Sequence, residues 1–303
     1  MLGRIIKGIA GFYYVETKGA IIYECKAKGI FRKSGIKPIV GDIVEIEIID
    51  EEKRLGNLTD VLPRKNSLYR PPVANVDQAV ILFAIVKPDP NYNLLDKYLI
   101  MMRQLDIPVI ICFNKQDIAT REEAKELYDA YEKCGYQVLF VSVKEEKGLD
   151  ELKALLKGKT TALAGPSGVG KSSLLNKLVP DADMQTGELS RKIDRGRNTT
   201  RHSEIFVVKE LSDESGETFI IDTPGFTSLE LRGVEADSLM DYYPEFVPFE
   251  PECRFGGCSH IAEPDCGVKN ALERGEVSKV RYENYRIIYE DLKRMKPDYS
   301  RKR

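Results

Sequence analysis

The sequence predicts a multidomain protein: an N-terminal OB-fold β-barrel, a central α/β domain built on a phosphate-binding loop, and a C-terminal zinc-binding helical domain. Three observations carry this reading. Short runs rich in β-branched and aromatic residues crowd the first seventy positions, strands alternate with helical patterns from about residue 75 to 240, and four thiol or imidazole residues cluster after residue 250. The domains are read as 1–72, 73–240 and 241–303.

In the first region, 11–15, 20–25 and 42–49 read as strands punctuated by Gly, Lys and Pro. The last of them alternates apolar and acidic residues, giving one buried and one wet face. Several such strands in so short a stretch fit a small closed barrel, and barrels of OB type commonly bind oligonucleotides. Residues 63–72, ending in Pro71-Pro72, read as a linker.

In the second region, 79–86, 108–113, 138–142, 160–164 and 219–221 read as strands, with helical patterns at 94–105, 121–134 and 172–178. Alternation of this kind predicts a mostly parallel sheet covered on both faces, with ligands at the carboxyl ends of its strands. The third region carries helical patterns at 268–273 and 277–293. Its tail, 293–303, holds six basic residues against one acidic.

A chain of 303 residues suits two or three cores. Its formal net charge of −2 gives no overall attraction to polyanions, so any nucleic-acid surface must be local. Such patches exist: residues 1–74 hold 13 Lys and Arg against 9 Asp and Glu, and the tail is basic. The longest apolar run, 79–86, is far shorter than a membrane span, and no signal-peptide pattern opens the chain, so a cytoplasmic protein without membrane attachment is expected. Cys25, Cys112 and Cys134 lie in apolar or helical surroundings as ordinary buried thiols.

Gly165-Pro166-Ser167-Gly168-Val169-Gly170-Lys171-Ser172 matches G-x-x-x-x-G-K-[ST], with a strand leading in and a helix leading out. Glycines let the backbone wrap closely, so that its N–H groups and the helix N-terminus face phosphate oxygens. Lys171 is placed to reach the β- and γ-phosphates, and the Ser172 hydroxyl to hold Mg²⁺.

Asn114-Lys115-Gln116-Asp117 follows the strand at 108–113. A carboxylate there can accept two hydrogen bonds from guanine N1–H and its 2-amino group. Adenine lacks that donor pair and would leave the desolvated carboxylate unpaired. Asn114 can tie neighbouring loops together, and the Lys115 stem can lie along the base. Ser142 and Lys144 occupy the place of the Ser-Ala-Lys loop that supports guanine in GTPases, with Val143 departing from it. A GTP site follows.

Asp222-Thr223-Pro224-Gly225 fits D-x-x-G, with Asp222 toward Mg²⁺ and the Gly225 N–H toward the γ-phosphate. Thr199 or Thr200 is the candidate to complete the Mg²⁺ shell. Many GTPases place Gln after D-x-x-G to orient the attacking water. Phe226 stands here and cannot do so, which predicts slow intrinsic hydrolysis completed by a partner. His202 is the nearest candidate for a polar catalytic role. Cys253, Cys258, His260 and Cys266 supply the Cys₃His set of one closed, structural zinc ion.

The order of motifs is itself a finding. Asn114–Asp117 and Ser142–Lys144 precede Gly165–Ser172, which precedes Asp222–Gly225, whereas an ordinary small GTPase has its phosphate loop first and Asn-Lys-x-Asp near its end; the order here is circularly permuted. Together with the 253–266 segment, this order resembles the circularly permuted, ribosome small-subunit-dependent GTPases (the RsgA, YjeQ or YloQ family) over nearly the whole chain. The resemblance extends the phosphate loop to Ser173 and implies a late-stage assembly factor of the small (30S) subunit that contacts its rRNA; a monomer is expected. Such a factor binds the subunit with GTP and leaves after hydrolysis to GDP, which the subunit stimulates. One departure stands out: family members often carry His just before the Thr-Thr pair, where this chain has Asn198. The competing reading is a GTP-sensing RNA-binding module with negligible turnover, which Phe226 keeps open.

Overall fold

A computed structural model describes residues 1–27, 31, 35–69, 71–180, 204–212, 216–223 and 229–294. The N-terminal region is a five-stranded barrel of β1 (Leu2–Ile9), β2 (Phe12–Thr17), β3 (Ile21–Ala27), β4 (Ile43–Asp50) and β5 (Leu55–Val61). Its strand order, β1-β2-β3-β5-β4 with β4 closing on β1, is that of an OB barrel. Alternation in β4 works as the sequence predicts: Val44 and Ile46 are buried while Glu45 and Glu47 face water.

The stretch read as a linker is more structured than that. It contains β6 (Ser67–Leu68), which pairs with β7 (Val73–Ala74). Asn66 exchanges two hydrogen bonds with the Val76 backbone, and the Asn75 amide donates to Gly41 O of the barrel. Asparagine side chains thus do the work that a longer backbone ladder would do elsewhere.

The central sheet runs β10 (Gln137–Phe140), β9 (Val109–Asn114), β8 (Gln78–Ala84), β11 (Thr160–Ala164), β13 (Phe219–Asp222) and β12 (Glu204–Val207). It is parallel except for β12, which is antiparallel to β13. The near-continuous apolar run of β8 reflects burial on both faces. Ala79, Ile81 and Phe83 pack under helices α1 (Tyr92–Gln104) and α2 (Arg121–Tyr131), whereas Val80, Leu82 and Ala84 meet α3 (Leu149–Leu156) and α4 (Lys171–Leu178). Local chemistry sets the helix starts. Asn91 Oδ1 accepts from Leu94 N ahead of α1, and Thr120 with Glu123 forms a capping box ahead of α2.

The third core joins α5 (Gly267–Glu273) and α6 (Lys279–Arg294) to the 3₁₀ turns at Ala236–Tyr242 and Val247–Glu252. Ile100 of α1 is buried in this same cluster, so the helical region packs directly on the central domain. At that junction Arg281 of α6 lies fully buried between Asp96 of α1 and Glu245, at 2.5 and 2.7 Å, with its guanidinium 4.3 Å from the Tyr243 ring centroid. Burial alone would lower the Arg281 pKa, but the two carboxylates raise it well above its usual value and keep it charged.

The barrel and the central sheet touch edge to edge. β1 pairs with β12 antiparallel at Lys7↔Glu204. Beside this, Arg4 Nη1 donates to Thr160 Oγ1 at 2.7 Å, and its guanidinium stacks 4.3 Å over Phe219. No helix among the described residues is long and apolar enough to cross a membrane.

Candidate functional site

The carboxyl ends of β9, β11 and β13, together with the loop after β10, meet at one rim of the central sheet. β11 delivers the chain to Gly165, and α4 begins at Lys171. The loop between needs its glycines. Gly165 and Gly170 hold φ of +149° and +101°, and a Cβ would meet Leu82 O at 2.1 Å in the first case and Asn114 Nδ2 at 2.4 Å in the second. Lys171 is mostly buried. Its ammonium donates to Gly165 O at 2.9 Å and Pro166 O at 3.3 Å. Burial lowers its pKa, opposed by Asp222. The ammonium is thus held inside the loop it would share with a polyphosphate. Pro166, Ser167, Gly168 and Val169 form the loop's turn, while Ser172 and Ser173 lie in the first turn of α4.

Asn114 ends β9 and is the knot of the site. Its Nδ2 donates to Val169 O of the phosphate loop at 2.9 Å, and its Oδ1 accepts from Val143 N at 3.1 Å. Lys115, at φ +70°, sends its ammonium to Gly168 O at 2.8 Å and also to Lys87 O after β8. Gln116 and Asp117 open a 3₁₀ turn. The fully buried Ser142 donates through Oγ to Asp117 Oδ1 at 2.7 Å and accepts from Glu145 N. This fixes one carboxylate oxygen and aims the group, while Lys144 is exposed beside it. Three segments far apart in sequence are thereby joined by side chains that the motifs alone named.

Asp222 ends β13 next to Leu163 of β11. Burial raises its pKa, opposed by Lys171 and reinforced by the nearby Glu204. A half-buried carboxylate and the serine hydroxyl at the start of α4 are a hard oxygen donor set, which suits Mg²⁺. Thr223 is tied back by Oγ1 to Leu163 O at 2.8 Å. Thr199, Thr200, His202, Gly225 and Phe226 lie outside the described residues. Glu204 is the residue that sequence reasoning missed; only strand register brings it opposite Asp222.

The metal cluster is compact. The ligand atoms of Cys253, Cys258, His260 and Cys266 all lie within 4.8 Å of one another. His260 Nδ1 is 3.3 Å from Cys266 Sγ and 3.7 Å from Cys253 Sγ, and those two sulfurs are 4.0 Å apart. Tetrahedral zinc with its usual bond lengths would set such edges at ~3.5–3.8 Å. Burial pushes the Cys258 thiol up to about 12 and raises Cys266. Three sulfurs and an imidazole nitrogen drawn this close together are a donor set that fits a soft or borderline metal. The support is local. Tyr282 and Tyr285 donate to the carbonyls of His260 and Ser259, both at 2.7 Å, and Glu263 accepts from the Ser259, Ile261 and Ala262 N–H groups.

Known proteins share this architecture. The family model described as RsgA GTPase matches residues 61–232, and that described as RsgA N-terminal domain matches 2–55. The small ribosomal subunit biogenesis GTPase RsgA of Agathobacter rectalis is 56% identical over 303 residues, covering 97% of this chain and 98% of the relative. That of Alkaliphilus metalliredigens is 47% identical over 292 residues, covering 96% and 98%. Among solved structures, YjeQ from Thermotoga maritima matches with a TM-score of 0.79 at 33% identity, covering 97% of this chain and 99% of that one. YloQ, a circularly permuted GTPase, matches at 0.75 and 35% identity, covering 98% and 96%.

Proposed function

Because the chain belongs to the RsgA family of circularly permuted GTPases, we propose that it hydrolyses GTP to GDP and phosphate in the biogenesis of the small ribosomal subunit. The observation that carries this reading is Asn114, bonded at once to the phosphate loop and to the Ser142 loop. Base recognition and phosphate grip are thereby one rigid unit.

Each residue has a part in it. Asp117, with one oxygen held by Ser142, accepts from guanine N1–H and the 2-amino group. Lys115 braces the loop, and its stem, with Lys144, borders the base. The N–H groups of 165–170 and the first turn of α4, including Ser172 and Ser173, face the phosphates. Lys171 exchanges its two loop carbonyls for β- and γ-phosphate oxygens. Ser172 and Asp222 would hold Mg²⁺, which supplies charge neutralisation of the phosphates when bound. Thr199, Thr200 and Gly225 belong to the segments that respond to the γ-phosphate. Phe226 leaves the attacking water unoriented from within the chain, so the small subunit completes the site, with His202 the internal candidate to assist.

Cys253, Cys258, His260 and Cys266 hold one structural zinc ion, with no open position for catalysis. The barrel and the basic tail contact rRNA. The protein acts as a cytoplasmic monomer, in domains bounded near residues 72 and 240.

The test is GTP hydrolysis by the purified chain with and without small subunits, and competition between GTP and ATP. Strong stimulation with guanine preference is expected. Equal binding of ATP overturns the site assignment. Guanine preference without stimulation favours the second reading, a GTP-sensing RNA-binding module, for which Phe226 is the specific support.

A further inference from the structure

We propose that Lys7 of the barrel is a positioning residue for the nucleotide site, acting through Glu204 on the carboxylate of Asp222; the inference rests on the guanine-nucleotide reading above. The strand register is the first ground. Lys7 lies opposite Glu204, and Glu204 lies opposite Asp222, both pairs antiparallel. Residues directly opposed across antiparallel strands put their side chains on the same face. Lys7, Glu204 and Asp222 therefore form one row, from the barrel to the end of β13.

The charges along this row are the second ground. Glu204 and Asp222 are like charges facing each other, an unfavourable cross-strand pair. Lys7 Nζ meets Glu204 Oε1 at 2.7 Å and offsets that repulsion. Lys171 also acts on Asp222, with the sign opposite to that of Glu204. The Lys7–Glu204 pair is about one-third exposed on each side, so it contributes little to stability as a surface ion pair. Its larger effect is on the potential at Asp222, where a divalent cation and an anionic nucleotide are to be balanced. The pair is also the register point at which the barrel joins β12. Any displacement of the barrel that separates Lys7 from Glu204 leaves Glu204 bare beside Asp222. By reciprocity, occupancy of the Mg²⁺ position feeds back on the seating of the barrel.

The signs separate this role from a structural one. Without Lys7 the site becomes more negative and holds Mg²⁺ more tightly; without Glu204 it becomes less negative and holds Mg²⁺ more weakly. The experiment titrates MgCl₂ into the full chain with a fluorescent GDP analogue at low salt and reads the Mg²⁺ midpoint of binding. Lys7→Met should lower the midpoint about two- to fivefold, and Glu204→Gln should raise it by a similar factor. The double variant should return close to the native midpoint, Lys7→Arg should titrate like the native chain, and high salt should shrink every difference. Single variants that shift the midpoint in the same direction, or a double variant that adds rather than cancels, overturn the proposal. So does native binding with all variants unchanged, and in that case the guanine site itself stands. A native chain that binds no guanine nucleotide at any Mg²⁺ concentration overturns that site, and the proposal with it.

Discussion

Arg281 and Asp96 face each other at 2.5 Å with neither side chain exposed at all. Glu245 Oε2 has no hydrogen-bond partner among the described residues. The Tyr131 hydroxyl donates to Asp96 Oδ1 at 3.0 Å, and Cys134 Sγ to Glu245 Oε1 at 3.3 Å. One cation thus serves two carboxylates from two domains.

Removing that cation should be costly. Arg281→Met strands two buried carboxylates and should destabilise the fold by about 3–5 kcal/mol. Replacing Arg281, Asp96 and Glu245 together by apolar residues of similar volume should recover most of the loss, because nothing charged then stays buried. Urea unfolding of the single and triple variants checks both; a triple variant weaker than the single one would contradict this account.

Asp117→Asn turns one of the acceptor oxygens into a donor. The N–H pair of guanine then meets an N–H, so GTP affinity should fall ~10²-fold or more with little change in stability. Equilibrium binding of GTP and of xanthosine triphosphate measures it. The xanthine nucleotide, with oxygen in place of the 2-amino group, should lose far less.

Gly170→Ala places a methyl group 2.4 Å from Asn114 Nδ2 at a φ of +101°. Strain at such a residue is about 1–3 kcal/mol. Displacing Asn114 also loosens both loops it joins, so nucleotide affinity should drop ~10-fold or more. Ala in place of Gly257, where a Cβ meets nothing, tests φ strain alone and should leave nucleotide binding unchanged.

Chelation should release one zinc ion per chain and unfold the 253–266 segment. The chain has no Trp, so near-ultraviolet dichroism reports tyrosines, among them Tyr282 and Tyr285, which hold the knuckle carbonyls. The signal should fall on chelation and return with zinc, and Cys258→Ser should be unable to recover it. Guanine-nucleotide binding should survive, because no ligand of the cluster touches that site.

Much of this was legible because it is periodic or local. The strands at 79–86, 108–113 and 160–164 announced themselves as apolar runs, and the structure returns them within two residues. The helical pattern at 121–134 ends as α-helix at Tyr131 and finishes as a 3₁₀ turn at Glu132–Cys134. What escaped is short or long-range. β1 and β5 are barrel strands whose pattern is broken by Gly3, Gly8 and Gly56, and β12 has only four residues. α3 did carry a signal, in the spacing of Leu149, Leu152 and Leu156, which are its buried positions. The Asn114–Val169 bond and the Arg281–Asp96 pair join residues with nothing in common locally. Arg281 in particular reads in sequence as part of a solvated charged face, and only packing places it among the largest fully buried side chains of the described residues.

That distance along the chain has a consequence during synthesis. A ribosome makes α1 early and α6 late, and domains fold in the order they emerge. Until Arg281 arrives, Asp96 must stay hydrated, and α1 cannot bury the face that carries it without stranding a charge. This face of α1 thus closes only when the last helix docks, and a chain cut short before that helix would be left open on this side, a ready substrate for proteolysis.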